Sequence, residues 1–136
     1  MNFLHNRGFQ RTPEPLLKTL EIQKKLIDNT EPCIFDVGAH AGGIASLYRK
    51  YFPAARIHCF EPFADSFAIL SKRFSADPLL SCHNIALSDK PGKALLNVNL
   101  STGTNSFLDT DEMGHVFWGR GMLDTLSRVE VPKTTI

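Results

Sequence analysis

The chain has 136 residues, of which 43% are hydrophobic and 21% charged, and its formal net charge is +1. This length and apolar content suit one globular core and are too small for two ordinary domains. No run of five or six basic residues occurs along the chain. We therefore expect neither a nucleic-acid partner nor attraction to an acidic membrane surface.

The N-terminal segment lacks the features of a secretory signal. Residues 1–7 contain no apolar run of about 7–15 residues followed by small cleavage-site residues. No other stretch reaches the roughly 20 apolar residues that a helix needs to span a bilayer. These features predict a cytoplasmic protein.

The chain contains three cysteines, Cys33, Cys59 and Cys82. Their odd number and wide spacing, without a Cys-x-x-Cys pair, argue against a disulfide framework and against a zinc site. Each cysteine falls in an apolar segment that resembles a strand. We therefore expect buried free thiols that behave as small hydrophobic residues, and no metal.

The first 30 residues form a unit of their own in this interpretation. Residues 1–15 contain a glycine and two prolines and show no periodicity, which predicts an extended arm. Apolar residues recur at helical spacing over residues 16–27, and a breaker cluster follows them. We assign residues 1–30 to an arm and a helix, and residues 31–136 to the main domain.

Three short apolar runs then follow at regular intervals and predict strands over residues 33–37, 56–60 and 79–85. Helical patterns lie between them, over residues 43–51 and 64–74. Alternation of strands and helices is typical of an α/β fold, in which helical crossovers connect the strands of a parallel sheet. Because the strands read as continuous apolar runs, we expect both faces of the sheet to be covered.

The pattern changes in the last third of the chain. Weak alternation over residues 93–100 and 128–131 predicts two further strands. Residues 101–126 are rich in Gly, Thr and Asp, which indicates a loop with one helical turn. The sequence stops at Ile136 with no helix after the last strand, so we expect a fold that is incomplete at the C-terminus.

The turn after the first strand, DVGAHAGG at residues 36–43, is the first candidate for a binding site. Ligands of open parallel sheets bind outside the carboxyl ends of the strands. Glycine lets the backbone approach a ligand closely, and the following helix adds partial positive charge at its N-terminus. Alternatively, Gly38 and Gly42 serve only to form a tight turn, and the motif alone does not decide between the two interpretations.

Two phosphate-binding motifs are excluded at this turn. The dinucleotide motif G-x-G-x-x-G requires glycine at the position of His40, which disfavours a nicotinamide-dependent oxidoreductase. The P-loop requires Lys and Ser or Thr after its last glycine, whereas Ile44 and Ala45 follow Gly43. The pattern fits a nucleoside ligand without phosphates, such as S-adenosylmethionine.

Two acidic residues lie near strand ends. Glu61 follows the second strand about 20 residues after the glycine turn, where a carboxylate can accept hydrogen bonds from both ribose hydroxyls. An ordinary exposed glutamate is the alternative. Asp36 lies one residue inside the end of the first strand, where an unpaired acid is costly to bury. It either orders the glycine turn or receives the α-amino group of a ligand through water.

Four spaced motifs together resemble the motif series of FkbM-type methyltransferases, and the resemblance covers about residues 32–136. Residues 129–136 also resemble the next strand of that family, just short of an expected aspartate. The four motifs are FDVGAHAG at residues 35–42, FEP at residues 60–62, ALSDKPG at residues 86–92 and GTNS at residues 103–106.

The resemblance implies a Rossmann-like class I methyltransferase fold, with residues 31–136 as its cofactor-binding half. It implies an S-adenosylmethionine-dependent enzyme that methylates a hydroxyl of a sugar, glycoconjugate or natural product, with a small-molecule or glycan acceptor. The alternative is a truncated, non-catalytic module for cofactor binding or interaction. Because an incomplete sheet exposes a strand edge, self-association through that edge is expected.

The resemblance also implies roles for individual residues, although it assigns no catalytic residue. His40 stands where the family usually has asparagine, and a protonated imidazole would repel a sulfonium, so we expect weaker cofactor binding in acid. Ser106 matches a serine in a loop over the site. The other implied contacts are Asp36, Gly38, Ala39 and Gly42 on the methionine side, Glu61 at the ribose, and Asn84, Ile85 and Ala86 at the adenine.

Overall fold

The computed structural model describes residues 13–114 and 121–136. Most of the predicted arm and part of the predicted loop therefore lie outside the described residues. The predicted N-terminal helix is confirmed as α1 (Glu14–Leu26), which starts two residues earlier than its apolar pattern. Pro13 precedes it, and another proline lies in its first turn, where a fixed φ and a missing N–H are tolerated.

The central sheet has three parallel strands in the order β1 (Cys33–Val37), β2 (Arg56–Phe60) and β3 (Leu80–His83). Helix α2 (Gly43–Tyr51) connects β1 to β2, and helix α3 (Ala64–Arg73) connects β2 to β3. This arrangement confirms the predicted α/β, Rossmann-like architecture of parallel strands with helical crossovers. The bounds of β1, α2 and β2 agree with those predicted from the sequence.

One face of the central sheet forms the core. Ile57, Cys59 and Leu80 point to this side and are buried. Ala45 from α2 and Leu70 from α3 belong to the same cluster, and both are fully buried. A leucine buried to this degree contributes about 2 kcal/mol relative to an exposed one. Packing of the two crossover helices on this face therefore stabilises the sheet.

Within the described residues, the opposite face of the sheet is open at β1, whereas Phe60 of β2 on the same face is buried. Phe35 and Val37 are 44% and 58% exposed, and Cys33 is also exposed. The predictions of a sheet covered on both faces and of a buried thiol at Cys33 are therefore wrong for this part of the chain. The physical reason is that α2 and α3 contribute to the core cluster on the other face only.

A second, smaller sheet follows, with strand order β4-β6-β5. It contains β4 (Ala86–Leu87), β5 (Gly92–Asn99) and β6 (Thr125–Thr134), and β5 pairs antiparallel with β6. The two predicted strands in this region are confirmed. The third strand of the central sheet ends earlier than the predicted residue 85, because Ala86 and Leu87 pair with β6 instead.

The loop between β5 and β6 contains the predicted helical turn, a 3-10 helix at Thr102–Thr104. Two buried asparagines of β5 hold this loop. The side-chain amide of Asn99 donates to the carbonyl of Thr104 at 2.7 Å, and that of Asn97 donates to the carbonyl of Leu108 at 3.1 Å. None of the helices in the described ranges is long and apolar enough to cross a membrane.

Candidate functional site

A cavity of about 330 Å³ lies where the central sheet meets the β5–β6 loop. The carboxyl ends of β1 and β2 and the turns after them form one side of its lining. Residues of the second sheet and of the loop form the rest. The predicted site residues that line the cavity are Gly38, His40, Glu61, Ala86 and Ser106.

The turn after β1 uses its backbone N–H groups within the fold. The N–H groups of Gly38 and Ala39 both donate to the carbonyl of Phe60, at 2.9 and 3.1 Å. The N–H of Gly42 donates to the carbonyl of Ala39 at 2.8 Å. A phosphate-binding loop instead points several free N–H groups at its ligand. The turn therefore fits a ligand without phosphates at this position, as its sequence predicts.

The two glycines of the turn have different surroundings. Both have positive φ, 78° at Gly38 and 82° at Gly42. A Cβ at Gly42 would lie 2.6 Å from Cε2 of Phe74 and 2.9 Å from Cδ1 of Leu70, whereas a Cβ at Gly38 would meet nothing within 4 Å. Gly42 therefore allows α3 to pack against the turn, and Gly38 leaves an open backbone surface at the cavity.

Glu61 is a rigid carboxylate on the cavity wall and is only 6% exposed. Its Oε2 accepts a hydrogen bond from the N–H of His40 at 2.7 Å, and its Oε1 accepts one from the N–H of Phe63 at 2.9 Å. Each carboxylate oxygen has a second lone pair. Glu61 is thus fixed by the fold and retains acceptor capacity for hydroxyl groups in the cavity.

Asn84 supports Glu61 rather than lining the cavity. Its side-chain amide donates to the backbone carbonyls of Glu61 and Pro62, at 2.8 and 3.2 Å. These two hydrogen bonds fix the backbone of the segment that directly follows β2. Ile85 and Ala39 are likewise absent from the cavity lining, and Ala39 is buried. Of the predicted adenine-side residues, Ala86 reaches the cavity.

Asp36 lies beneath the site, on the helix-covered side of β1, and is 9% exposed. Burial raises the pKa of its carboxyl, and the negative charge of Glu61 raises it further, whereas the backbone N–H of Ala45 in α2 lowers it. Its Oδ2 has no hydrogen-bond partner among the described residues. The contact with α2 favours the hypothesis that Asp36 orders the glycine turn.

His40 connects the glycine turn to the β5–β6 loop. Its Nε2 and the hydroxyl of Thr102 share a hydrogen bond of 2.9 Å. The sequence prediction missed Thr102 and Asn105, which both line the cavity. Their position beside Ser106, within or next to the GTNS motif, was the signal that could have identified them.

No known family model matches this chain, and no curated protein does. A candidate rRNA methylase from Clostridium thermocellum is similar in structure, with a TM-score of 0.44 and 11% sequence identity. The match covers 55% of this chain and 42% of the methylase chain. A candidate S-adenosylmethionine-dependent methyltransferase from Listeria monocytogenes has a TM-score of 0.38 and 14% sequence identity, and the match covers 90% of this chain and 78% of the methyltransferase chain.

This chain thus spans less than half of the first of these proteins. Both similarities are weak, so the architecture described above rests on the strand pairing and crossovers of this chain itself. The resemblance to FkbM-type methyltransferases stays a prediction from the sequence motifs.

Proposed function

We propose that the cavity binds S-adenosylmethionine and that the protein is a methyltransferase. The observation that carries the proposal is the Glu61 carboxylate, held on the cavity wall at the carboxyl end of β2. Its free lone pairs suit the two hydroxyls of a ribose. A volume of about 330 Å³ is within the range of small-molecule sites.

The remaining walls fit the other parts of this cofactor. Gly38 offers backbone without a side chain, so a ligand can approach it closely. Phe60, Leu87 and Phe107 supply apolar surface for an adenine ring. Four N–H groups of the glycine turn, those of Gly38, Ala39, His40 and Gly42, are already paired, so a neutral or cationic group is favoured beside them over a phosphate.

When bound, S-adenosylmethionine supplies a methyl group on a sulfonium for in-line displacement. The residues of this chain would position the cofactor, with Glu61 at the ribose and the glycine turn beside its other end. For the acceptor we propose a hydroxyl of a sugar, glycoconjugate or natural product. The net charge of +1 and the absence of a basic run favour such an acceptor over a nucleic acid.

A second candidate function is cofactor binding without methyl transfer. In the described part of the chain, the titratable side chains that line the cavity are His40 and Glu61. Both already make hydrogen bonds within the fold, which leaves no residue there assigned as a general base. This observation favours a non-catalytic module, and measurement of turnover separates the two functions.

The decisive experiment is calorimetric titration of the protein with S-adenosylhomocysteine. We expect micromolar binding by the parent, and at least tenfold weaker binding by Glu61→Gln, because one charge-assisted hydrogen bond is worth about 1.5–3 kcal/mol. Glu31→Gln, which changes an exposed glutamate, serves as the matched control and should bind like the parent. Absence of binding by the folded parent would refute the proposed cofactor.

Radiolabelled methyl transfer to a panel of sugars and hydroxylated natural products then tests catalysis. Incorporation that is lost in Glu61→Gln supports the methyltransferase. Binding of S-adenosylhomocysteine without incorporation into any acceptor supports the non-catalytic module. Incorporation into RNA alone would contradict the proposed acceptor class.

A further inference from the structure

His40 adopts a backbone conformation that residues with side chains rarely adopt. Its φ is 48°, and it is the non-glycine residue with positive φ in the described ranges. The N–H of His40 donates to Oε2 of Glu61 at 2.7 Å, which holds the backbone in this conformation. The direction in which the His40 side chain leaves the backbone is therefore set by the turn after β1 and by the buried carboxylate.

The imidazole meets a distant part of the chain. Its Nε2 is 2.9 Å from the hydroxyl oxygen of Thr102, which is 62 residues away in sequence and begins the 3-10 turn. Both residues line the cavity. We refer to residues 102–107, which contribute most of the loop side of the lining, as the cavity turn.

Other hydrogen bonds of the cavity turn lead to the second sheet. The side-chain amide of Asn99 donates to the carbonyl of Thr104 at 2.7 Å, and the N–H of Asn99 donates to Oδ1 of Asn105 at 3.0 Å. The hydroxyl of Thr104 lies 3.1 Å from the carbonyl of Met122. The cavity turn is thus anchored on β5, whereas the glycine turn is anchored on β1 and β2. The bond between His40 and Thr102 joins these two supports at the cavity.

We propose that His40 is a positioning residue, which latches the cavity turn to the glycine turn and thereby slows the release of a ligand from the cavity. The latch joins two side chains of this protein, so it can be tested separately from any ligand. Its effect on ligand release rests on the proposed function.

Amide hydrogen exchange measured by NMR on the ligand-free protein tests the latch. The N–H groups of Thr104 and Asn105 close the cavity turn by donating to the carbonyls of Ser101 and Thr102. We expect them to exchange about threefold faster in Thr102→Val, a change of similar shape that removes the hydroxyl. Thr102→Ser retains the hydroxyl and should restore the parent rate.

A double-variant comparison separates the latch from backbone effects. His40→Asn keeps a residue that tolerates positive φ, but its shorter side chain does not reach Thr102. If the two side chains act through one bond, then His40→Asn with Thr102→Val should exchange no faster than either single variant. Additive acceleration, or unchanged exchange in a folded Thr102→Val, would overturn the latch.

Stopped-flow dissociation of S-adenosylhomocysteine tests the second half of the proposal. We expect release about threefold faster from Thr102→Val than from the parent and Thr102→Ser. Equal release rates would overturn the coupling to the ligand. If the parent does not bind S-adenosylhomocysteine, the proposed function fails, while the exchange rates still decide whether the latch exists.

Discussion

Replacement of Gly42 by alanine separates packing from ligand approach at the glycine turn. A residue with a side chain at φ 82° is strained by about 1–2 kcal/mol. The new Cβ would also lie 2.6 Å from Cε2 of Phe74 and 2.9 Å from Cδ1 of the fully buried Leu70. Such overpacking typically costs a further 1–3 kcal/mol. We therefore expect Gly42→Ala to lower the free energy of unfolding by about 2–5 kcal/mol.

Gly38→Ala is the matched control, because the position has nearly the same φ but no atom within 4 Å of the added Cβ. It should lose only the conformational part, about 1–2 kcal/mol. Urea unfolding followed by circular dichroism measures both variants. The difference between them isolates the contacts with Phe74 and Leu70, and Gly42→Ala combined with Phe74→Leu should recover the part that is due to Phe74.

Ligand binding should show the opposite order. The Cβ of Gly38→Ala projects from a residue that lines the cavity, so this variant should bind S-adenosylhomocysteine more weakly while staying folded. Equal losses of stability in the two variants would refute the packing role of Gly42. A Gly42→Ala protein as stable as the parent would refute the close approach of α3 on which the reasoning depends.

The reactivity of the thiols should follow their burial. Burial and, secondarily, the charge of Asp36 raise the pKa of Cys59 to about 12. A maleimide should therefore label the exposed Cys33 in the native protein and Cys59 only after unfolding. Rapid labelling of native Cys59 would contradict its burial. Burial, and then the charge of His58, lower the pKa of His83 below its ordinary 6.5, so the unfolded chain binds a proton more readily than the folded chain. The contribution of neutral His83 to stability should be complete above about pH 6.5 and decrease as the pH falls below that value. Between pH 7.5 and 5.5, the Tm of His83→Gln should therefore fall less than the Tm of the parent. An equal fall in both proteins would count against this assignment.

The part of the fold that could be predicted from the sequence is the part that local patterns determine. The bounds of β1, α2 and β2 were predicted because an apolar run or a helical period is interrupted there by Gly, Pro or charged residues. The position of Glu61 could be predicted for a similar reason, because it directly follows an apolar run and parallel strands bring their carboxyl ends to one edge.

The rest depends on contacts between distant residues. The third apolar run predicts a strand over residues 79–85, yet the strand ends at His83, and Ala86 and Leu87 pair with Lys133 and Thr134 of β6. No local pattern in the sequence predicts that pairing. The contrast between Gly38 and Gly42 also requires the position of α3, and the contact of His40 with Thr102 requires the β5–β6 loop to be in place.

At Glu61 the proposed ligand contact and two hydrogen bonds of the fold use the same carboxylate. Its two oxygens hold the N–H groups of His40 and Phe63 and also face the cavity. Glutamine retains one acceptor oxygen, but its amide group would face an N–H donor and leave that donor unpaired, at a cost of about 1–3 kcal/mol. A loss of affinity in Glu61→Gln therefore reports on the proposed ribose contact only if the N–H of His40 exchanges as slowly as in the parent. Faster exchange at His40 would instead show that the glycine turn itself has loosened.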